Sequence, residues 1–183
     1  MLTRRARLMA GAAVLAAAVV AGASGSATAA QSSETHGVEV IFEHLTGYQE
    51  TPLALSTTAS GQFRAIINEK TQEITYTLSY AGLVGNVTQS HIHFGAVAQT
   101  GGVSVFLCTN LGNGPAGTQV CPAAPATITG TIRPADVIGP TGQGIAAGEF
   151  AELVAAIRAG AAYVNVHSTQ YPGGEMRSQL QHH

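Results

Sequence analysis

The chain has 183 residues, of which 45% are hydrophobic and 10% charged, and its formal net charge is −2. This length suits a single globular domain. The charge balance excludes the strongly basic surface that nucleic acid binding requires, so we expect no nucleic acid partner.

The N-terminal segment predicts export. Arg4, Arg5 and Arg7 precede an uncharged run over residues 8–23, and small residues that end in 27–29 follow it. A basic start, a short apolar run and a small-residue cleavage site together are typical of a signal peptide. A membrane anchor is disfavoured because the run is mostly Ala and Gly and no stop-transfer charges follow. The paired arginines also resemble a twin-arginine signal, which leaves the export route open.

Cleavage near Ala29 would release a secreted chain with no stable membrane anchor. The released chain keeps five basic residues against ten acidic ones, a formal charge of −5. We predict a signal peptide over residues 1–29, a disordered leader over 30–37 and one β domain over 38–181.

Short runs in which apolar and polar residues alternate predict β-strands along most of the mature chain. Residues 73–80 are an example, since Ile74, Tyr76, Leu78 and Tyr80 alternate with Thr and Ser. The polar residues 68–71 predict a hairpin turn before this run. The full set of predicted strands is 38–45, 62–67, 73–80, 90–94, 103–108, 126–133, 163–167 and 175–180.

One segment has helical periodicity instead. Phe150, Leu153, Val154 and Ile157 are spaced i, i+3, i+4 and i+7, and Gly160 follows them, which predicts a short amphipathic α-helix near residues 149–159. Eight strands with one helix predict an all-β fold, an immunoglobulin-like or Greek-key antiparallel sandwich or barrel.

Cys108 and Cys121 are the only cysteines. In an exported chain such a pair predicts one disulfide, here closing a Gly- and Pro-rich loop. The alternatives are a free thiol pair and a metal or redox role, but the spacing is not CxxC.

The sequence offers no catalytic residues and no cofactor-binding motif. Residues 112–117 match GxGxxG but lie between the cysteines and do not join a strand to a helix. Asp136 is the only Asp and nothing places it beside a histidine. We therefore expect no hydrolase or nucleotide-dependent activity and favour an extracellular binding or structural module, with a protein or glycan partner.

Three histidines and one glutamate form a candidate metal site. His91 and His93 flank Ile92, so both imidazoles face the same side of one strand. His167 points away from the apolar face of its own strand, and a hairpin over residues 168–174 would place Glu175 opposite it and Arg177 opposite Asn165. We predict that these four residues bind copper or zinc, with Glu175 as fourth ligand or outer partner. In the alternative interpretation the histidines only hydrogen-bond neighbouring strands.

The remaining histidines have ordinary interpretations. His36, His182 and His183 lie near the chain ends, where a solvated side chain is the default. His44 is in phase with the apolar residues of the first strand, which predicts a histidine packed beside the core.

Four sequence segments resemble the CHRD (chordin) domain family, which occurs in chordin and in many exported microbial proteins. They are LTGYQETP over 45–52, HIHFG over 91–95, YVNVH over 163–167 and PGGEMRSQL over 172–180.

The resemblance implies an immunoglobulin-like β-barrel and covers nearly all of residues 38–180. It does not imply growth-factor antagonism, because the cysteine-rich modules that accompany these domains in chordin are missing. Met176 and Ser178 stand where the family more often has Ile and Gly. The His-x-His pattern also resembles copper/zinc superoxide dismutase locally, so superoxide chemistry is an alternative function if the site holds copper with an open position.

Overall fold

The computed structural model describes residues 37–181. The predicted signal peptide and nearly all of the predicted leader lie outside the described residues. Eight strands and one α-helix make up the fold, in the order β1 Glu39–Thr46, β2 Ser60–Asn68, β3 Glu73–Ala81, β4 Val87–Phe94, β5 Gly102–Thr109, β6 Ala126–Ile132, α1 Phe150–Arg158, β7 Ala162–Ser168 and β8 Met176–Gln179. Short 3₁₀ turns cover Gly47–Gln49, Pro134–Asp136 and Thr141–Gln143.

The strands form one antiparallel sheet that curls into a nearly closed barrel. Their spatial order is β5-β4-β7-β8-β1-β2-β3-β6. The two edge strands are bridged by the Gln119 carboxamide, whose Nε2 donates to the carbonyls of Leu107 in β5 and Thr129 in β6. The predicted all-β antiparallel fold with one short helix is confirmed, and it is a barrel.

Every second side chain along a strand points into the barrel, and these apolar side chains fill its interior. In β3 the apolar residues Ile74, Tyr76, Leu78 and Tyr80 are all buried in the core. The β2–β3 hairpin is stabilised at its turn, where Asn68 Oδ1 accepts hydrogen bonds from the amides of the second and third residues that follow it. A short polar side chain that bonds the backbone in this way favours a turn over continued strand.

Helix α1 follows its predicted periodicity. Phe150, Leu153 and Ile157 are buried in the core, and the helix ends just before Gly160. Arg158 in its last turn forms ion pairs with two glutamates, Glu39 in β1 and Glu69 in the β2–β3 turn. Within residues 37–181 no helix has the length and apolar character needed to cross a membrane.

The predicted packing of His44 beside the core is wrong. His44 is exposed, as are Val40 and Phe42 on the same face of β1. The inward face instead carries Ile41 and Leu45. Apolar residues occupy both faces of this strand, so its alternation does not identify the face that is buried.

The predicted disulfide is confirmed. Cys108 and Cys121 are bonded and both are buried. The bond fixes the loop that runs from the end of β5 towards β6, and this loop also carries Gln119. We therefore expect the disulfide to stabilise the seam between the two edge strands as well as the loop.

The double variant Cys108→Ala/Cys121→Ala tests this contribution. A bridge across 13 positions restricts the unfolded chain, so its loss should lower the free energy of unfolding by about 3 kcal/mol. Urea denaturation with and without reductant measures the difference, and reductant should leave the variant unchanged. Equal stability of the variant and the oxidised wild type would contradict the expectation.

Candidate metal centre

The pairing of β4 with β7 brings three histidines together. The register sets His91 opposite Asn165 and His93 opposite Tyr163, with His167 further along β7. One ring nitrogen from each of His91, His93 and His167 lies within 4.8 Å of one from each of the others. The structure thus assembles three of the four predicted ligands from two strands about 75 residues apart in sequence.

The cluster lies on the face of the sheet opposite the core, yet it is shielded from solvent. Ile92, Val164 and Val166 face the core, and the alternation turns the histidines to the other side. His91 is 2% exposed, and His93 and His167 only 8% and 5%. Loops after β4 and after β7 contact the rings through the backbone carbonyls of Gly101 and Pro172.

Backbone carbonyls fix the orientation of two of the imidazoles. His93 Nδ1 lies 3.0 Å from the carbonyl oxygen of Gly101, and His167 Nδ1 lies 2.9 Å from that of Pro172. A carbonyl only accepts, so each Nδ1 carries the proton and each Nε2 keeps a lone pair. This is the orientation in which an outer carbonyl holds a metal-binding histidine.

The His91 imidazole contacts the His167 imidazole directly. His91 Nδ1 lies 3.1 Å from His167 Nε2, which is a hydrogen bond in the metal-free chain. Two nitrogens bound to one ion at about 2.0–2.1 Å would lie roughly 3–3.5 Å apart, so the same spacing suits a pair of ligands. The Nε2 atoms of His91 and His93 are buried and have no hydrogen-bond partner among the described residues.

All three imidazoles are neutral near pH 7. Burial, with the neighbouring His167 and His93 as smaller causes, lowers the pKa of His91 to about 2. Burial likewise lowers the pKa of His167 to about 4, against an opposing hydrogen bond to Pro172, and it lowers the pKa of His93. Neutral imidazole is the form that binds a metal ion.

Aromatic rings and one guanidinium surround the cluster. Phe106 meets His91 edge-on, with ring centroids 4.3 Å apart. Tyr163 stacks parallel to His93 with centroids 4.8 Å apart, and its hydroxyl accepts a hydrogen bond from the Gly101 amide. The guanidinium carbon of Arg177 lies 3.5 Å from the Tyr163 centroid. Because β7 lies between β4 and β8, Tyr163 separates the histidine from the arginine.

Glu175 is not brought into this group. Its carboxylate is buried, and Oε1 accepts hydrogen bonds from the Thr57 hydroxyl at 2.8 Å and the Val84 amide at 2.7 Å, while Oε2 has no partner among the described residues. These donors come from the segment before β2 and the loop before β4, so Glu175 links β8 to both. The hairpin register that we predicted is nevertheless present, since Arg177 lies opposite Asn165.

Glu50 is a buried acid whose importance the sequence did not indicate. Its carboxylate accepts two hydrogen bonds from Asn165 Nδ2, at 2.9 and 3.1 Å. Burial raises the pKa of Glu50 to about 7, although the Arg177 charge and the bond from Asn165 oppose the rise. Asn165 lies between Tyr163 and His167 on the polar face of β7, so this acid belongs to the surroundings of the cluster.

The variant Glu50→Gln tests this burial in the metal-free protein. In the folded chain Glu50 holds its proton up to about pH 7, whereas its ordinary pKa is 4.5. Between these two pH values the folded chain therefore binds one proton that the unfolded chain has released. The stabilisation linked to this proton is fully present below the ordinary pKa and is lost as the pH rises through the pKa of the folded chain. The stability gained by Glu50→Gln should therefore be about 2–3 kcal/mol larger at pH 8 than at pH 5.

Urea denaturation at the two pH values measures this change. Glu152→Gln, on the exposed face of α1, is the matched control and should show no such dependence on pH. A Glu50→Gln difference that is equal at pH 5 and pH 8 would contradict a raised pKa in the folded chain.

Comparison with known proteins identifies the family. No curated protein and no solved structure matches the chain. The model of the CHRD domain matches residues 41–180, a range that includes both histidine-bearing strands, the buried Glu50 and the β7–β8 hairpin. The chain therefore belongs to the CHRD domain family.

Proposed function

We propose that this CHRD domain is an exported metal-binding module in which His91, His93 and His167 bind one copper or zinc ion. The observation that carries the proposal is the convergence of three buried, neutral imidazoles whose ring nitrogens lie within 4.8 Å of one another. Imidazole is a ligand that suits both metals. Export is supported by the disulfide and by the signal-like N-terminal sequence.

The unpartnered nitrogens favour metal binding over hydrogen bonding alone. A purely structural cluster would be expected to satisfy its buried polar atoms, since each unsatisfied one costs about 1–3 kcal/mol. His91 Nε2 and His93 Nε2 have no such partner within residues 37–181. An ion bound among the three rings would use a lone pair that the protein leaves unpaired and would replace the hydrogen bond between His91 Nδ1 and His167 Nε2.

The burial of the cluster favours a structural or metal-carrying role. A catalytic ion needs an open position for substrate, whereas none of the three histidines is more than 8% exposed. Superoxide chemistry is for this reason the weaker candidate. The bound ion would tie β4 to β7, which suits a module whose outer surface contacts an extracellular protein or glycan.

Metal titration of the purified full chain tests the proposal. The wild type should bind one equivalent of Cu or Zn, and His91→Gln, His93→Gln or His167→Gln should each weaken binding by more than about 100-fold, since loss of a ligand costs more than loss of its outer partner. Gln is chosen because it retains a polar side chain of similar size. Isothermal calorimetry and elemental analysis provide the readout.

Two controls locate the site. The exposed His44 can be replaced by Gln, and His182 and His183 can be removed, and neither change should alter the affinity. The proposal fails if the wild type binds no ion at micromolar concentration. It also fails if binding survives all three cluster substitutions and disappears when the two terminal histidines are removed.

A further inference from the structure

The Arg177 guanidinium is a buried positive charge beside the histidine cluster. Arg177 is 2% exposed, and its hydrogen bonds go to neutral acceptors, the Thr51 hydroxyl, the Gln99 and Ala96 carbonyls and the Gln179 side-chain oxygen. Among the described residues none of these partners is a carboxylate. Its charge is thus held in place without a directly bonded counter-ion.

We infer that the cluster selects monovalent copper over divalent ions and that Arg177 is the positioning residue that sets this preference. The inference rests on the proposed function and names the ion that the same site would take. Three properties of the site support it, namely the charge of its ligands, their number and the field of the guanidinium.

The ligand set carries no negative charge. The group holds three neutral imidazoles and no carboxylate among the described residues, and both cysteines are consumed by the disulfide. A bound ion would then keep its full charge in a buried site. The cost of burying an ion rises with the square of its charge, so a monovalent ion is favoured over a divalent one.

The number of ligands points the same way. A closed zinc site is almost always four-coordinate, whereas monovalent copper accepts three nitrogen ligands. Glu175, the predicted fourth ligand, lies outside the group of three histidines, and its Oε1 accepts hydrogen bonds from Thr57 and Val84. A three-coordinate site buried on all sides is therefore a better match for monovalent copper than for zinc.

The field of Arg177 reaches the cluster through Tyr163. The guanidinium covers one side of the tyrosine ring and His93 stacks parallel to the ring from the neighbouring strand. The guanidinium and the His93 imidazole both pack against this one ring, so Arg177 repels positive charge bound at His93. A divalent ion bound to His93 would meet the same repulsion more strongly than a monovalent ion.

Glu50 is the acid that offsets this field. It interacts electrostatically with Arg177 but forms its hydrogen bonds with Asn165. When ionised, Glu50 partly cancels the guanidinium charge. Removing that carboxylate should disfavour divalent ions, and removing the guanidinium should favour them.

Anaerobic competition titrations of the full chain with Cu(I), and parallel titrations with Cu(II) and Zn(II), test the inference. The wild type should bind Cu(I) at least about 100-fold more tightly than Zn(II), because the ligands carry no negative charge to offset the second positive charge of Zn(II). Arg177→Met should raise the Zn(II) affinity relative to Cu(I) by about tenfold or more. Arg177→Lys keeps the charge and should restore most of the wild-type ratio.

A matched control and an independent variant accompany the test. Arg64→Met removes an exposed charge from β2 and should leave the ratio unchanged. If Arg177→Met does not fold, Glu50→Gln at pH 8 replaces it, and it should weaken Zn(II) binding several-fold relative to Cu(I).

The outcomes separate the inference from the proposed function. Tight Zn(II) binding that equals Cu(I) binding, or a ratio that Arg177→Met leaves unchanged in a folded protein, overturns the inference while the histidine site stands. Absence of binding by every ion tested overturns the proposed function itself.

Discussion

The antiparallel pairing of β4 with β7 is the contact on which the histidine cluster depends. It sets His91 and His93 beside the strand that carries His167, and alternation then turns all three rings to one face. The opposite face supplies Ile92 and Val164 to the core. The same residues that hold the barrel together therefore fix the positions of the candidate ligands, which gives the cluster a rigid support without flexible loops as its base.

A layer of polar and aromatic residues covers this face, and the three histidines beneath it are at most 8% exposed. Arg177 lies over the Tyr163 ring, and Asn165 donates to Glu50. The loops after β4 and β7 contact this layer through hydrogen bonds to Arg177, Tyr163 and His167. Burying an arginine and an acid costs free energy unless each is hydrogen-bonded. Arg177 meets this requirement with neutral acceptors, while Glu50 meets it partly by retaining its proton up to about pH 7. The resulting environment contains neutral nitrogen ligands next to a fixed positive charge.

Sequence reasoning predicted what depends on local pattern. The alternation over His91–Ile92–His93 predicted that the two imidazoles share one face of the strand. The length of the loop before β8 predicted the register that sets Arg177 opposite Asn165. It could not establish that β4 neighbours β7, because about 70 residues separate them. Nor could it predict the direction of the Glu175 carboxylate, which depends on donors from two distant loops. Glu50 was missed for the same reason, since its burial arises from a residue 115 positions away.

X-ray absorption at the metal edge of the loaded protein would test the central claim most directly. The account predicts three nitrogen scatterers at about 2.0–2.1 Å with the outer-shell scattering of imidazole rings, and two such rings in His167→Gln. The same spectrum in a variant that lacks His91, His93 and His167 would contradict it, as would a spectrum with oxygen ligands alone.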